Sequence, residues 1–150
     1  MLIGLIALVL GWPAQAAVPV AIVVPVAQFE DQAQRERLDS AIDLRRQLDK
    51  RSSVVVVDPP GAVITLEIVG RWEEAQETRA ISRTTSRAYR DKVLRVKLSI
   101  GEYSTEIVGR SVGGEYSFST SWGVAAGDVA RQVEKWVATN RAKLPARVSP

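Results

Sequence analysis

The stretch "VLRVKLSIGEYSTEIVG", residues 93–109, decides the fold because apolar and polar side chains alternate on both sides of a Gly-Glu pair. Such alternation is typical of strands with one buried and one solvated face. A two-residue type II′ turn at Gly101 and Glu102 would join two such strands. Apolar residues then share one face, and a shift by one residue would destroy that agreement. The predicted pairs are Ile100 with Tyr103, Ser99 with Ser104, Leu98 with Thr105, Lys97 with Glu106 and Val96 with Ile107.

Two valine-rich strands and a helix precede this hairpin. The runs "VPVAIVVPV" (residues 18–26) and "VVVV" (residues 54–57) are typical of strands buried on both faces. Strand, helix and strand in this order predict a parallel crossover. The charged stretch between the runs, from Glu30 to Arg51, repeats apolar residues every three to four positions, which predicts a helix. Its expected buried face consists of Leu38, Ala41, Ile42 and Leu48.

One more strand and one more helix complete the domain. In "AVITLEIVGRWE" (residues 62–73) the alternation predicts a strand whose wet face carries Thr65, Glu67 and Arg71. A helix is predicted within residues 121–144, with Ser121 as its cap and Pro145 beyond its end. The expected buried residues are Ile64, Leu66, Ile68 and Trp72 in the strand, and Trp122, Ala126, Val129, Val133, Trp136, Val137 and Leu144 in the helix.

The elements together predict an α+β fold, an α/β two-layer sandwich. A mixed sheet of about five strands carries both helices on one face, in the order β-α-β-β-β-β-α. Residues 17–145 are expected to form a single domain, followed by a short tail, residues 146–150.

The first sixteen residues are expected to be an export signal. They are apolar and end in Ala14-Gln15-Ala16, which has the small-x-small form of a cleavage site. Cleavage after Ala16 would leave 150 − 16 = 134 residues in the periplasm or the medium. If the segment is not cleaved, it would stay as a membrane anchor. The absence of a lysine or arginine near the start is the feature that argues against an export signal.

The order of elements, beginning with "VAIVVPV" and ending with a helix, resembles two families of periplasmic α/β domains. These are the amino-terminal domain of the Tol translocation protein and the curli secretion lipoprotein. The resemblance extends over most of the chain and rests on no specific motif, and the lipid-anchoring cysteine of the second family is absent. It implies an association with the cell envelope and identifies no functional residue.

Several kinds of chemistry are disfavoured by composition. The chain has no histidine and no cysteine, so the usual ligands of zinc, copper and haem are missing, and we expect no metal and no cofactor. "GRSVG" (residues 109–113) has the Gly-x-Ser-x-Gly spacing of a nucleophile elbow, but Ser111 has no histidine to activate it. The sequence therefore predicts a non-enzymatic protein, and the alternative is a hydrolase acting on an envelope polymer or ester.

The candidate binding residues are four arginines in "RAISRTTSRAYRDK", namely Arg79, Arg83, Arg87 and Arg90. On a helix their spacing would align the guanidinium groups for phosphate or carboxylate binding. After export, the partner would be an envelope protein, an anionic lipid or a wall polymer, and not nucleic acid. The alternative is an ordinary solvated charge run. Two further candidates are a glycan-binding surface of Tyr116, Phe118 and Trp122, for which core packing is the alternative, and a carboxylate pair among Glu73, Glu74 and Glu77, for which solvation is the alternative.

Overall fold

The computed structural model describes residues 16–75, 90–111 and 121–145. In these ranges the chain forms five strands and two α-helices in the predicted order, which confirms the α+β fold. Single 3₁₀ turns follow β2 and α2, and neither described helix is apolar enough over its length to cross a membrane. The elements are β1 (Val18–Val23), α1 (Gln32–Asp49), β2 (Val54–Val56), β3 (Ile64–Ala75), β4 (Arg90–Ile100), β5 (Tyr103–Ser111) and α2 (Trp122–Asn140).

The strands form one mixed sheet in the order β2-β1-β3-β4-β5. β1 pairs in parallel with β2 and β3, and the other pairs are antiparallel. All five predicted cross-strand pairs of the β4–β5 hairpin are confirmed. Gly101 has φ +54°, and no described residue other than glycine has a positive φ, as a type II′ turn requires. Lys97 lies opposite Glu106 as predicted, but the Glu106 carboxylate makes its ion pair diagonally, 3.6 Å from Arg95 Nε.

Both helices pack on the same face of the sheet, where the hydrophobic core lies. Its largest fully buried side chains come from α1 and from the central strands. The α2 helix starts at the predicted cap, where Ser121 Oγ accepts a hydrogen bond from the Val124 N–H. Midway along α2, Glu134 accepts a hydrogen bond from Ser53 Oγ at 2.8 Å and lies 3.2 Å from Arg51 Nη1. This contact ties α2 to the connection between α1 and β2.

The predicted buried face of α1 is wrong in part. Leu48 is buried, but the side chains of Leu38 and Ile42 are 43% and 53% exposed. The helix instead buries the row Ser40, Leu44 and Leu48, which share one stripe at four-residue spacing. The helix has this orientation because it packs against α2 as well as against the sheet.

The predicted faces of Arg71 and Trp72 are also wrong, because a β-bulge between Ile68 and Gly70 reverses the alternation of β3. The Val69 carbonyl in the bulge accepts a hydrogen bond from Arg37 Nε of α1 at 3.1 Å. Beyond the bulge, Arg71 lies towards the helices and Trp72 lies on the opposite face of the sheet. Two aromatic contacts show this: Arg71 is 4.4 Å from the ring centroid of Trp122, and Arg95 is 4.9 Å from that of Trp72.

Candidate functional site

A groove runs between β5 and the carboxyl-terminal half of α2. It consists of two adjoining hollows of about 360 Å³ and about 240 Å³, which share Trp136 and Asn140. The strand side of the groove is open because β5 is the last strand of the sheet. The larger hollow lies within the size range of small-molecule sites, about 300–1,000 Å³.

Two stacked aromatic rings form the apolar part of the groove. Tyr103 is the first residue after the hairpin turn, and the register of the hairpin directs its ring to the helix side of the sheet. There it stacks on Trp136, with ring centroids 6.2 Å apart and an interplanar angle of 26°. Trp136 is half-buried against the core, whereas Tyr103 is 55% exposed. The Tyr103 ring is therefore accessible to a ligand, and its contact with Trp136 holds it in place.

The polar wall of the groove is built by α2, whose side chains each donate at least one hydrogen bond inside the protein. Gln132 Nε2 donates to the Val108 carbonyl at 2.8 Å and to Asp128 at 3.3 Å. Thr139 Oγ1 donates to a helix carbonyl at 2.9 Å, and Asn140 Nδ2 donates to another at 2.8 Å. The oxygen atoms of these three side chains are left as hydrogen-bond acceptors within the described part of the chain.

The edge of β5 is partly covered by α2. The Arg110 N–H donates to Asp128 Oδ2 at 2.9 Å, and the Val108 carbonyl accepts from Gln132. Burial alone would raise the pKa of the Asp128 carboxyl, but hydrogen bonds from Arg131, the Arg110 N–H and Gln132 outweigh it and lower that pKa. The ionised carboxylate therefore serves as a fixed acceptor for the strand edge.

The charge of the groove is positive at its rim. Lys135 and Lys143 line the two hollows and are both exposed. Glu106 also lines the groove, but its carboxylate is engaged with Arg95. The rim therefore favours neutral or anionic groups over cationic ones.

The structure describes one of the four predicted anion-binding arginines. Arg90 is the first residue of β4, its side chain is 68% exposed, and its Nη1 lies 3.7 Å from Glu73 Oε2. Lys92 approaches the same carboxylate at 3.3 Å. The other three, Arg79, Arg83 and Arg87, lie outside the described residues.

The other candidate residues identified from the sequence do not lie together in the described part of the chain. Ser111 ends β5 with only 2% of its surface exposed. Trp122 packs beneath Arg71 and does not line the groove, while Tyr116 and Phe118 lie outside the described residues. The carboxylates of Glu73 and Glu74 point to opposite faces of β3, since one contacts Lys92 and the other contacts Arg110 and Trp72. They form no catalytic pair, and Glu77 lies outside the described residues.

The groove does not follow from the sequence pattern, because Trp136 fits the predicted buried stripe of α2. One signal was present: Gln132, Trp136 and Asn140 are spaced by four and line a flank of α2 next to the core stripe. A tryptophan between two amides on the flank of a helix indicates a half-exposed ring with hydrogen-bonding neighbours. Only the packing of α2 on β5 shows that Tyr103 lies beside it.

No family model matches the chain, and no curated protein matches it. Two solved structures are similar over most of its length. A PelC dodecamer from Paraburkholderia phytofirmans is 16% identical, with 89% of this chain and 94% of that chain covered and a TM-score of 0.44. A "putative lipoprotein" from Caulobacter crescentus CB15 is 13% identical, with 80% and 88% covered and a TM-score of 0.40. Both are weak resemblances in fold alone, and the likeness to the Tol and curli families stays a prediction.

Proposed function

We propose that this chain is a non-enzymatic binding domain of the cell envelope, with its ligand held in the groove between β5 and α2. The observation that carries the proposal is the exposed Tyr103 ring stacked on Trp136. A large ring normally buries its apolar area, and this one is instead held at the surface by its neighbour. Because the ring is already fixed, a ligand that stacks on it loses little side-chain freedom on binding.

The envelope location rests on the amino-terminal sequence. The apolar segment that ends at Ala16 is followed directly by the first strand of the domain, so cleavage there would leave the sheet complete. Export would bring the groove to wall polymers, lipids and envelope proteins. Intact-mass measurement on protein from the native host is expected to show an amino terminus at Ala17. A full-length mass in the membrane fraction would indicate an anchor instead.

The hydrolase alternative is disfavoured by the position of Ser111. A nucleophile elbow presents its serine at an exposed turn between a strand and a helix. Ser111 is buried at the end of β5, and no histidine exists anywhere in the chain to take its proton.

The test compares wild type with Tyr103→Ala and Tyr103→Phe in sedimentation assays with purified wall fragments and with anionic lipid vesicles. Saturable binding is expected to weaken about tenfold or more without the ring and to persist in the phenylalanine variant. The triple variant Arg79→Ala, Arg83→Ala, Arg87→Ala is the comparison. If binding is lost there and not in Tyr103→Ala, the arginine cluster is the binding site. Turnover of model esters would support the hydrolase.

A further inference from the structure

We infer that the groove binds a glycan, a neutral or anionic saccharide chain whose sugar rings stack on Tyr103 and whose hydroxyls donate to the wall formed by α2. The inference rests on the proposed binding role of the groove and names its ligand class. Three properties of the groove carry it: the acceptors of its wall, its aromatic ring and the charge of its rim.

The wall selects for a ligand rich in hydrogen-bond donors. The donors of Gln132 are both used, towards Val108 and Asp128, and the hydroxyl of Thr139 donates to a helix carbonyl. Asn140 donates one of its two amide N–H groups to a helix carbonyl. The three oxygen atoms are still able to accept, and a ligand that buried them without donating would leave them unsatisfied at a cost. Sugar hydroxyls supply such donors at short intervals along a chain.

The aromatic ring of Tyr103 and the positive charge at the rim of the groove restrict the class of ligand further. A pyranose has a face of C–H groups that packs on an aromatic ring, and Tyr103 offers such a ring beside the acceptors. Amines also donate hydrogen bonds and bind aromatic faces, but Lys135 and Lys143 at the rim repel cations. The same lysines can donate to hydroxyls or to the carboxylates of acidic sugars. The combination therefore favours neutral or acidic saccharides over amino sugars.

A peptide strand added to the edge of β5 fits less well. In an antiparallel pair, alternate residues of an edge strand direct both backbone groups outward, and here these are residues 104, 106, 108 and 110. The Val108 carbonyl and the Arg110 N–H already bind side chains of α2. Of these outward residues, only Ser104 and Glu106 have both backbone groups clear of these contacts. The stretch from Ser104 to Glu106 is shorter than an ordinary strand of about five residues, so it offers little edge for a peptide to pair with.

The test is titration of the full chain, held in a detergent without a sugar headgroup, with saccharides of equal length. The probes are cello-oligosaccharides, oligogalacturonates and chitosan oligomers. Their binding is measured by tryptophan fluorescence and by calorimetry. Neutral and acidic oligomers are expected to bind at least about tenfold more tightly than chitosan. Tyr103→Ala should weaken binding about tenfold, whereas Tyr103→Phe should retain it. Thr139→Val should weaken it severalfold, whereas Thr139→Ser, which keeps the oxygen, should not.

Several outcomes would overturn the inference. These are the absence of saccharide binding, preferred binding of chitosan, and saccharide binding that is unchanged in Tyr103→Ala. A strand-forming peptide of alternating valine and threonine is included as a competitor, and peptide binding in place of saccharide would also overturn it. If wall fragments or vesicles bind in a manner that depends on Tyr103 while no saccharide binds, the proposed function stands and only the ligand class is wrong.

Discussion

Gly109, the first glycine of the Gly-x-Ser-x-Gly motif, is expected to be needed for packing and not for catalysis. It lies in β5 where α2 crosses the strand. A Cβ at this position would lie 2.3 Å from the Ala125 carbonyl oxygen, 2.5 Å from Val129 Cγ2 and 2.9 Å from the Val129 nitrogen. Two of these three atoms belong to the helix backbone and cannot rotate away. Gly109→Ala therefore forces the helix and the strand apart.

The size of the effect follows from these distances. Ordinary van der Waals contact with a Cβ begins at 3.4 Å, so the helix or the strand must move by 3.4 − 2.3 = 1.1 Å. Overpacking of this kind costs about 1–3 kcal/mol when side chains can adjust, and a backbone clash belongs at the upper end, about 3 kcal/mol. The movement would also disturb Val129 and Val133, which are fully buried on the same helix.

The assay is urea denaturation of wild type and variant followed by far-ultraviolet circular dichroism, with the free energy of unfolding extrapolated to water. Gly70→Ala is the matched control, because it also lies in a strand but no atom comes within 4 Å of its added Cβ. The control is expected to unfold within about 0.5 kcal/mol of wild type. A Gly109→Ala variant as stable as the control would refute the close approach of α2 to β5. The groove between them would then be misplaced as well.

Three further predictions concern the hairpin and α2. Leu98→Ala should lower the free energy of unfolding by about 2–4 kcal/mol at any salt concentration, because it removes a core side chain. Lys97→Glu should cost only about 0.5–1 kcal/mol at low salt, and Glu106→Lys should recover part of it, since Glu106 also pairs with Arg95. A cost of Lys97→Glu that persists in concentrated salt would contradict the electrostatic explanation. Glu134→Ala should cost about 1 kcal/mol through its lost hydrogen bonds in the same assay, with Glu134→Gln intermediate.

The parts of the fold that sequence predicted well are those fixed by local rules. A two-residue turn at Gly101 sets the register of the hairpin, and every pair then follows from a period of two. The faces of Arg71 and Trp72 could not be predicted in this way, because the bulge before them is coupled to a hydrogen bond from α1. A single inserted residue reverses the side-chain direction of everything that follows. Gly70 is a local sign of the bulge, since glycine within a strand often marks one, but it does not tell on which side the alternation resumes.

The groove could not be predicted from local sequence patterns, for a related reason. Tyr103 and Trp136 are separated by more than thirty positions in the printed sequence, and each is consistent with a buried residue of its own element. Their contact depends on how α2 is placed on β5, which Gly109 permits by its lack of a side chain. Glycine in a strand is commonly taken for a weak point, yet here it marks a close approach of two backbones.

The cover over the edge of β5 should respond to acid through Asp128. Burial raises the pKa of this carboxyl, but the hydrogen bonds from Arg131, the Arg110 N–H and Gln132 prevail and the pKa is lowered in the folded protein. A carboxyl with a lowered folded-state pKa contributes stability at pH values above its unfolded pKa of about 4, and that stability is lost as the pH falls through the folded value.

Asp128→Asn should therefore be less stable than wild type near neutral pH, by about 1 kcal/mol, because an amide accepts these hydrogen bonds more weakly than a carboxylate. As the pH falls below about 4, wild-type Asp128 takes up its proton and the two proteins should converge in stability. The measurement is urea unfolding of both proteins across this pH range. A difference that stays constant from neutral pH to about pH 2 would show that Asp128 is not held ionised by these contacts. The edge of β5 would then be covered by Gln132 alone, and a peptide strand would have more room to compete with a glycan for the groove.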